Sequence, residues 1–454
     1  MISDWQNTRV TVMGLGRFGG GVGVTRWLAR SGARVLVTDR AEPDRLKSAL
    51  RAIEGFGVEL RLGEHRREDF READLVVASP AVPNSNEYLQ AARGAGVPVS
   101  TEINLFVERC PARCVGITGS IGKSTTTAMI GHVLERTLGE RRVWVGGNLG
   151  CSLLEDIEAI DGDDVVVLEL SSFQLARTPA VRWSPHVAVL TNILPNHLDW
   201  HGTFGAYVDA KLNILRFQNR SRDAVVLGND AELHRQFEAA FGNPAGIWRY
   251  GLDEDTPVAW CDARRLLREK LRLDVPGRHN HENAAAALTV AHVLGVEAGA
   301  AATALASFEG LPHRLQRVGV GDGVTYYNDS KSTTPAAAIT AMNALDCPLL
   351  LILGGYDKGI DLRPAAELAA RRAKFSACIG QTGPGLVDMI RAGGGDAELF
   401  ETLAAAVAAC GRRAESGDAV LLSPACASWG MFADYRDRGD EFARLAMEGT
   451  GASS

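Results

Sequence analysis

The stretch Val115-Gly116-Ile117-Thr118-Gly119-Ser120-Ile121-Gly122-Lys123-Ser124-Thr125-Thr126-Thr127 constrains this chain most. A short apolar run enters it, as a buried strand would. Gly119 and Gly122 bracket a tight turn that ends in Lys-Ser-Thr. Met129, Ile130, Val133 and Leu134 then follow near helical spacing. Strand, glycine turn, Lys-Ser and helix make the layout of a phosphate-binding loop. In such a loop backbone N–H groups and the positive helix end cradle phosphate oxygens, Lys123 reaches a terminal phosphate, and the Ser124 hydroxyl can hold magnesium. The full eight-residue signature wants a glycine where Ile117 stands, so only G-x-x-G-K-S-T remains. The competing reading is an ordinary strand–helix turn with a surface lysine.

A chain of 454 residues is too long for one core, and at about 150 residues per domain it predicts three. The balance of 46% hydrophobic and 23% charged residues is that of a globular protein. A net charge of −7 without a long basic run gives no sign of a nucleic-acid partner. No apolar span approaches the ~20 residues needed to cross a bilayer, and the N-terminus lacks the plan of a signal peptide. Eight cysteines are scattered with no C-x-x-C pair. They read as reduced, mostly buried thiols, and the compartment implied is the cytoplasm. Cys110 and Cys114 could bind metal, but no partner pair stands nearby.

In the first hundred residues, Val10-Thr11-Val12-Met13 predicts a strand and Gly14-Leu15-Gly16-Arg17-Phe18-Gly19 is G-x-G-x-x-G opening a helix. A second strand, Arg34 to Thr38, ends at Asp39, about where a dinucleotide fold places its ribose ligand. Strand and helix signals alternate through Asp74 to Ala78 and on to Ser79-Pro80, which predicts a doubly wound unit. An NAD site is one reading. The glycine turn also suits any nucleotide diphosphate.

In the central region, Val143 to Gly150 is a strand ending in a glycine-rich turn that carries Asn148. The run Asp164 to Gln174 is a buried strand that delivers Glu169 at its C-terminal end, where parallel α/β sheets put ligands. A carboxylate there suits magnesium. Another strand, Val187 to Asn192, leads to Pro195-Asn196-His197-Leu198-Asp199-Trp200-His201, which could bind metal or be loop polarity. Tyr207 to Leu215 reads as an amphipathic helix, on which Lys211 is by default a snorkelling surface residue. Asn280 and Asn283 stand near the start of an alanine-rich helix, as caps or amide ligands. Gly310-Leu311-Pro312-His313-Arg314 marks a domain boundary.

Three strand-to-loop junctions follow. They are Val324 to Pro335, Leu349 to Lys358 and Ala419 to Trp429. Together they concentrate hydroxyls and cations, which suggests a site for an anionic substrate. The element order again implies a sheet with helices on its faces.

These strings carry a resemblance that spans essentially the whole chain. Leu168-Glu169-Leu170-Ser171-Ser172-Phe173-Gln174, Gly310-Leu311-Pro312-His313-Arg314, Asn328-Asp329-Ser330-Lys331 and Leu422-Ser423-Pro424-Ala425-Cys426-Ala427-Ser428 resemble the Mur ligases, ATP-dependent amide-forming enzymes of peptidoglycan precursor synthesis. The likeness is strongest to the branch that adds glutamate.

The resemblance implies an α/β chain of three domains. These are a Rossmann-like uridine-nucleotide domain (1–108), a central P-loop ATPase-like parallel-sheet domain (109–312) and a C-terminal Rossmann-like domain that binds glutamate (313–454). It implies ATP, two magnesium ions, and UDP-N-acetylmuramoyl-L-alanine and glutamate as substrates, with a monomer as the default. Arg17, Phe18, Asp39 and Arg40 would lie near the uracil, while Asn148, Ser171 and Gln174 hold the muramoyl-alanine part. Gly119, Ser120, Gly122, Lys123, Ser124, Thr125, Asn280, Asn283, Arg314 and Asp329 would surround ATP. Ser124 and Glu169 would serve one magnesium and His197 a second. Lys211 would be carbamylated and support metal. Lys331, Thr333, Lys358, Ser428 and Tyr435 would take the incoming amino acid.

There are departures from the family pattern. Ile121 replaces an amide in the phosphate loop, Tyr435 an aromatic without a hydroxyl, and Asn196 an acid. A ligase that extends folate, use of L-glutamate, and a non-catalytic nucleotide-binding module are the rival readings.

Overall fold

The computed structural model describes residues 4–16, 20–149 and 152–450. Arg17 and Phe18, expected near the uracil, lie outside the described residues. The chain forms three sheets, whose interior strands are short Val-, Ile- and Leu-rich runs buried on both faces, as central strands of α/β folds must be.

The first sheet contains β1 (Arg9–Met13), β2 (Arg34–Asp39), β3 (Glu59–Leu62), β4 (Leu75–Ala78) and β5 (Val99–Ser100) in the order β3-β2-β1-β4-β5. All pairs are parallel, with Val10 opposite both Val35 and Leu75. The strand order reverses between β1 and β4, the place where such sheets open a ligand crevice.

The central sheet contains β6 (Arg113–Thr118), β7 (Val143–Gly147), β8 (Val165–Glu169), β9 (Val187–Leu190), β10 (Ala224–Gly228), β11 (Ile247–Asp253), β12 (Thr256–Cys261) and β13 (Arg264–Arg268). Their order is β13-β12-β11-β10-β9-β6-β8-β7. Only the β11-β12-β13 edge is antiparallel. β6 lies between β8 and β9, with Ile117 opposite Glu169 and Thr118 opposite Leu190. This register delivers the phosphate loop, Glu169 and the loop after Leu190 to one end of the sheet.

The third sheet contains β14 (Gln316–Gly321), β15 (Val324–Asn328), β16 (Leu349–Gly354), β17 (Ala373–Ile379), β18 (Ala397–Phe400) and β19 (Ala419–Leu422), in the order β14-β15-β19-β16-β17-β18. Leu422 lies opposite Asn328 on one side and Ile352 on the other. The three polar junctions expected from the sequence therefore leave the C-terminal end of one sheet together.

By contact, residues 1–271 with 282–305 form one compact unit, and 272–281 with 306–454 a second. The first unit carries two sheets on one continuous core. Trp5, Val12, Trp27, Phe106, Leu154, Val166, Leu190 and Ile214 all belong to it. Among the described residues no helix is long and apolar enough to cross a membrane. The seven described cysteines are free, and no group of three His, Cys, Asp or Glu with metal-binding geometry occurs among the described residues.

Candidate functional site

The phosphate loop is set by two glycines. At Gly119 (φ 151°) an added Cβ would lie 1.8 Å from Thr191 Oγ1. At Gly122 (φ 85°) it would lie 2.8 Å from Asn283 Oδ1. Only a residue without Cβ fits either place. Gly119→Ala is expected to lower kcat/KM for ATP by about 100-fold or more, because the backbone that approaches phosphate must move. Initial rates across an ATP titration check this.

The loop is braced in a way the sequence did not announce. The amides of Ser120 and Ile121 both donate to Asn192 Oδ1, at 3.1 and 3.0 Å, while Asn192 Nδ2 and Thr191 Oγ1 donate to Ile121 O. Those two amides are thus engaged within the protein. The Ile121 side chain is 61% exposed, so the missing amide is not replaced from within the loop. Ser120 Oγ lies 2.7 Å from the Tyr207 hydroxyl and 2.9 Å from Leu194 O. Ser124 and Thr125 open the helix Lys123–Thr137. Asn283 Oδ1 accepts from Thr126 Oγ1 at 3.0 Å, which fixes the amide beside the loop.

Two lysines converge on Gly119. Lys123 Nζ donates to Gly119 O at 2.9 Å and Ser120 O at 3.1 Å. Lys211 Nζ donates to the same Gly119 O at 2.6 Å and lies 4.8 Å from the Tyr207 ring centroid. Lys211 is 2% exposed on the helix Phe204–Leu212, so the default of a snorkelling surface lysine is wrong. Its neighbours Tyr207, Val208 and Ala210 are buried too, and apolar flanks alone could not tell a buried amine from a covered stem. Burial, and then the Lys123 cation, push the Lys211 amine well below its ordinary pKa, against the pull of Glu169.

Glu169, at the end of β8, is 2% exposed. Its Oε1 accepts from Asn148 Nδ2 at 2.9 Å, and Asn148 N donates to Glu169 O at 2.8 Å. Its Oε2 is buried without a hydrogen-bond partner. A buried carboxylate oxygen left unsatisfied is costly, and a cation beside it would remove that cost. With the Ser124 hydroxyl at the same sheet end, the donor set is oxygen-rich and suits magnesium.

Ser171 and Gln174 form a reciprocal cap, with the Ser171 amide and hydroxyl both donating to Gln174 Oε1 at 2.9 Å. The S-x-x-Q spacing is the signal for such a cap. His197 (φ 53°) heads the short helix Leu198–His201 and packs on Phe173 with ring centroids 4.7 Å apart. Burial, then Lys123, lower its pKa, so at neutral pH it is an unprotonated imidazole. His201 meets Ser172 Oγ at 3.0 Å.

In the first sheet Asp39 has a structural task. Its Oδ2 accepts from Leu15 N at 3.0 Å and its Oδ1 from Ala41 N at 2.9 Å, so it ties the glycine turn down. The Arg40 guanidinium lies 5.8 Å from the Tyr88 ring centroid.

In the second unit, the C-terminal end of the third sheet gathers its own polar cluster. Asp329 is 6% exposed and accepts from Leu315 N, Ser332 Oγ and Ser423 Oγ. Burial raises its pKa to about 6 against those bonds and the Arg314 charge. The folded state therefore holds the proton between about pH 4 and 6, where the unfolded chain has lost it. Stability from this group falls as pH rises through that window. Asp329→Asn, which cannot titrate, is expected to gain on the parent protein between pH 4 and 6, by up to about 3 kcal/mol. Paired denaturant melts across pH check it.

Thr333 and Lys358 line one small pocket with Tyr356, Thr382 and Cys426. Lys358 Nζ lies 5.5 Å from the Trp429 ring centroid. Lys331 Nζ lies 5.1 Å from that of Tyr435. Ser428 is buried, next to Trp429. Arg438, 1% exposed, bonds Ser330 Oγ, Ser330 O and Cys426 O; nothing in its sequence context marked it. Asn280 Nδ2 donates to Pro276 O at 2.7 Å.

Family models match most of the chain. The Mur ligase MurD-like N-terminal domain matches residues 8–101. The Mur ligase middle domain matches 117–291, and the Mur ligase glutamate ligase domain 313–426. A Symbiobacterium thermophilum protein named UDP-N-acetylmuramoylalanine–D-glutamate ligase is 39% identical over 460 residues, covering 96% of this chain and 97% of its own. A Roseiflexus protein of the same name is 39% identical, covering 96% and 98%. The crystal structure of UDP-N-acetylmuramate-alanine ligase MurC from Thermotoga maritima superposes with a TM-score of 0.61 at 20% identity, covering 97% of this chain and 99% of its own. With its three α/β domains matched in order and from end to end, the chain belongs to the Mur ligase family.

Proposed function

We propose that this chain is the ATP-dependent ligase that joins D-glutamate to UDP-N-acetylmuramoyl-L-alanine in peptidoglycan precursor synthesis. The observation that carries the reading is the meeting of Lys123, Lys211 and Glu169 at the end of β6 and β8, in a chain alike to named D-glutamate ligases over its whole length. A nucleotide-binding module needs no second buried amine beside its phosphate loop. A folate-extending ligase would leave the matched N-terminal domain without a purpose.

The chemistry follows from charge. The muramoyl-alanine carboxylate attacks the γ-phosphorus of ATP, giving an acyl phosphate and ADP. The amine of D-glutamate then attacks the acyl carbon, and phosphate leaves. Lys123, on the loop that faces the phosphates, stabilises the negative charge spread over the transferring group. Ser124 and Glu169 would hold one magnesium ion, and His197 with a carbamylated Lys211 a second. When bound, these ions neutralise phosphate charge. Lys211 is suited to carbamylation because burial and the Lys123 cation favour the neutral amine that attack on carbon dioxide requires. Asn148 fixes the Glu169 carboxylate. Thr333, Lys358, Ser428, Lys331 and Tyr435 would receive the two carboxylates of glutamate, while Asn280, Asn283, Arg314 and Asp329 would contact ATP. We read the enzyme as a cytoplasmic monomer, with domains at 1–108, 109–312 and 313–454.

Phosphate release from ATP and magnesium, with UDP-N-acetylmuramoyl-L-alanine and either D- or L-glutamate, tests this. Release that depends on D-glutamate is expected. Release with L-glutamate alone would keep the reaction and change the product, and silence with both would sink the reading.

A further inference from the structure

One buried cation has no part in the phosphate or metal chemistry above. Arg177 lies between the helix Ser172–Leu175 and the turn Thr178–Val181 and is 6% exposed. Its guanidinium reaches from the central domain to the first. Nε donates to Asn84 Oδ1 at 3.2 Å, Nη1 to Ser79 O at 3.2 Å and Nη2 to Val82 O at 2.5 Å. Its carbonyl accepts from Asn104 Nδ2 at 3.0 Å. Among the described residues no carboxylate forms an ion pair with it. Burial, and the neighbouring Arg93, push its pKa down to about 10, so it is still charged at neutral pH.

A second tie grips the same turn. Trp200 Nε1 donates to Ala81 O at 3.0 Å. The Trp200 ring packs on Phe173 (5.0 Å) and His201 (4.5 Å), two residues from Ser171 and four from His197 respectively, in the stretches already placed at the site. The turn 79–84 follows β4, at the crevice of the first sheet. It is therefore fastened at four points by the central domain. One anchor grows from the Ser171–Gln174 cap, the other from the histidine loop.

Buried guanidinium without a counter-ion is expensive. A tie that served packing alone could be made by apolar side chains. What fixed polar ties add is a defined position, and position is what a substrate spanning two domains requires.

We propose that Arg177 and Trp200 are positioning residues for the nucleotide substrate. By fixing the turn 79–84 they set where the uridine end binds relative to Gly119 and Lys211, where the carboxylate must arrive. The proposal rests on the reaction proposed above.

The test is to measure KM for all three substrates, with thermal melts, in Arg177→Ala, Arg177→Lys and Trp200→Phe. Arg177→Ala is expected to raise KM for UDP-N-acetylmuramoyl-L-alanine about tenfold or more, leaving KM for ATP and D-glutamate within about twofold. Arg177→Lys should recover part of that loss, and Trp200→Phe should show a rise of about threefold or more. If Arg177→Ala does not fold, the other two variants carry the test. A flat nucleotide-substrate KM in folded variants overturns the proposal, and so does an equal rise in all three constants. A parent enzyme that is active beside such variants leaves the ligase reading intact. A parent enzyme inactive with both glutamate enantiomers overturns both.

Discussion

Replacing Lys123 by alanine is expected to lower kcat by about 1,000-fold or more, with a melting temperature within a few degrees of the parent protein. The size follows from where the charge sits. Lys123 Nζ is held by Gly119 O and Ser120 O, at the loop that turns toward phosphate. Charge on a transferring phosphoryl group is stabilised by fixed cations, and a thousandfold loss corresponds to about 4 kcal/mol of transition-state binding. The fold does not depend on the side chain to that extent. Lys123 is half-buried, and it donates to carbonyls of its own loop. Single-turnover phosphate release beside a melting curve separates the two effects. Near-normal turnover in a folded variant would remove the phosphate-loop assignment.

Lys211→Ala is the second large effect. A loss of about 1,000-fold is expected, and short carboxylic acids in the buffer should restore part of it. A carbamate forms when a neutral amine attacks carbon dioxide and gives up a proton. Burial and Lys123 push the Lys211 amine well below its ordinary pKa, which favours that neutral form. The alanine variant leaves a gap beside Gly119 and Tyr207 that a small carboxylate can enter. The parent enzyme, depleted of carbon dioxide, should lose activity and regain it with bicarbonate. A variant that ignores added acids, beside a parent enzyme indifferent to bicarbonate, would count against carbamylation. Lys211 would then act as an unmodified lysine.

Much of this was legible in the sequence where chemistry repeats with the fold. The run Val165 to Glu169 announces a buried strand with a carboxylate at its ligand end, and the structure puts it there. The glycines of the phosphate loop stand where backbone must come close to Thr191 and Asn283. What could not be read is what depends on long-range approach. Nothing in Thr191-Asn192 distinguishes a strand end from the brace of the phosphate loop. The partners of Asn192, Ser120 and Ile121, are 72 and 71 positions earlier, and propensity carries no information over that distance. Arg177 and Arg438 look like ordinary surface arginines, since their acceptors are main-chain carbonyls that any sequence supplies. Lys211 was misjudged for a related reason. A lysine stem is covered by apolar neighbours whether its amine emerges into water or stops short of it. Asp39, expected to face a ligand, also pins Leu15 and Ala41, a use that an acidic residue after a strand does not announce.

The continuous core beneath the first two sheets has a consequence for how the protein melts. Trp5 and Trp27 on one side and Leu154 and Val166 on the other belong to a single apolar cluster, so neither sheet can lose its packing without exposing the other's. Three domains should then give at most two calorimetric transitions, one for each compact unit. A ligand held by the first sheet alone protects both sheets of its unit. At one hundred times its dissociation constant it adds about 2.7 kcal/mol to their joint unfolding. A uridine nucleotide should therefore slow amide hydrogen exchange in β8 and β9, strands it never touches, while β16 and β17 exchange as before.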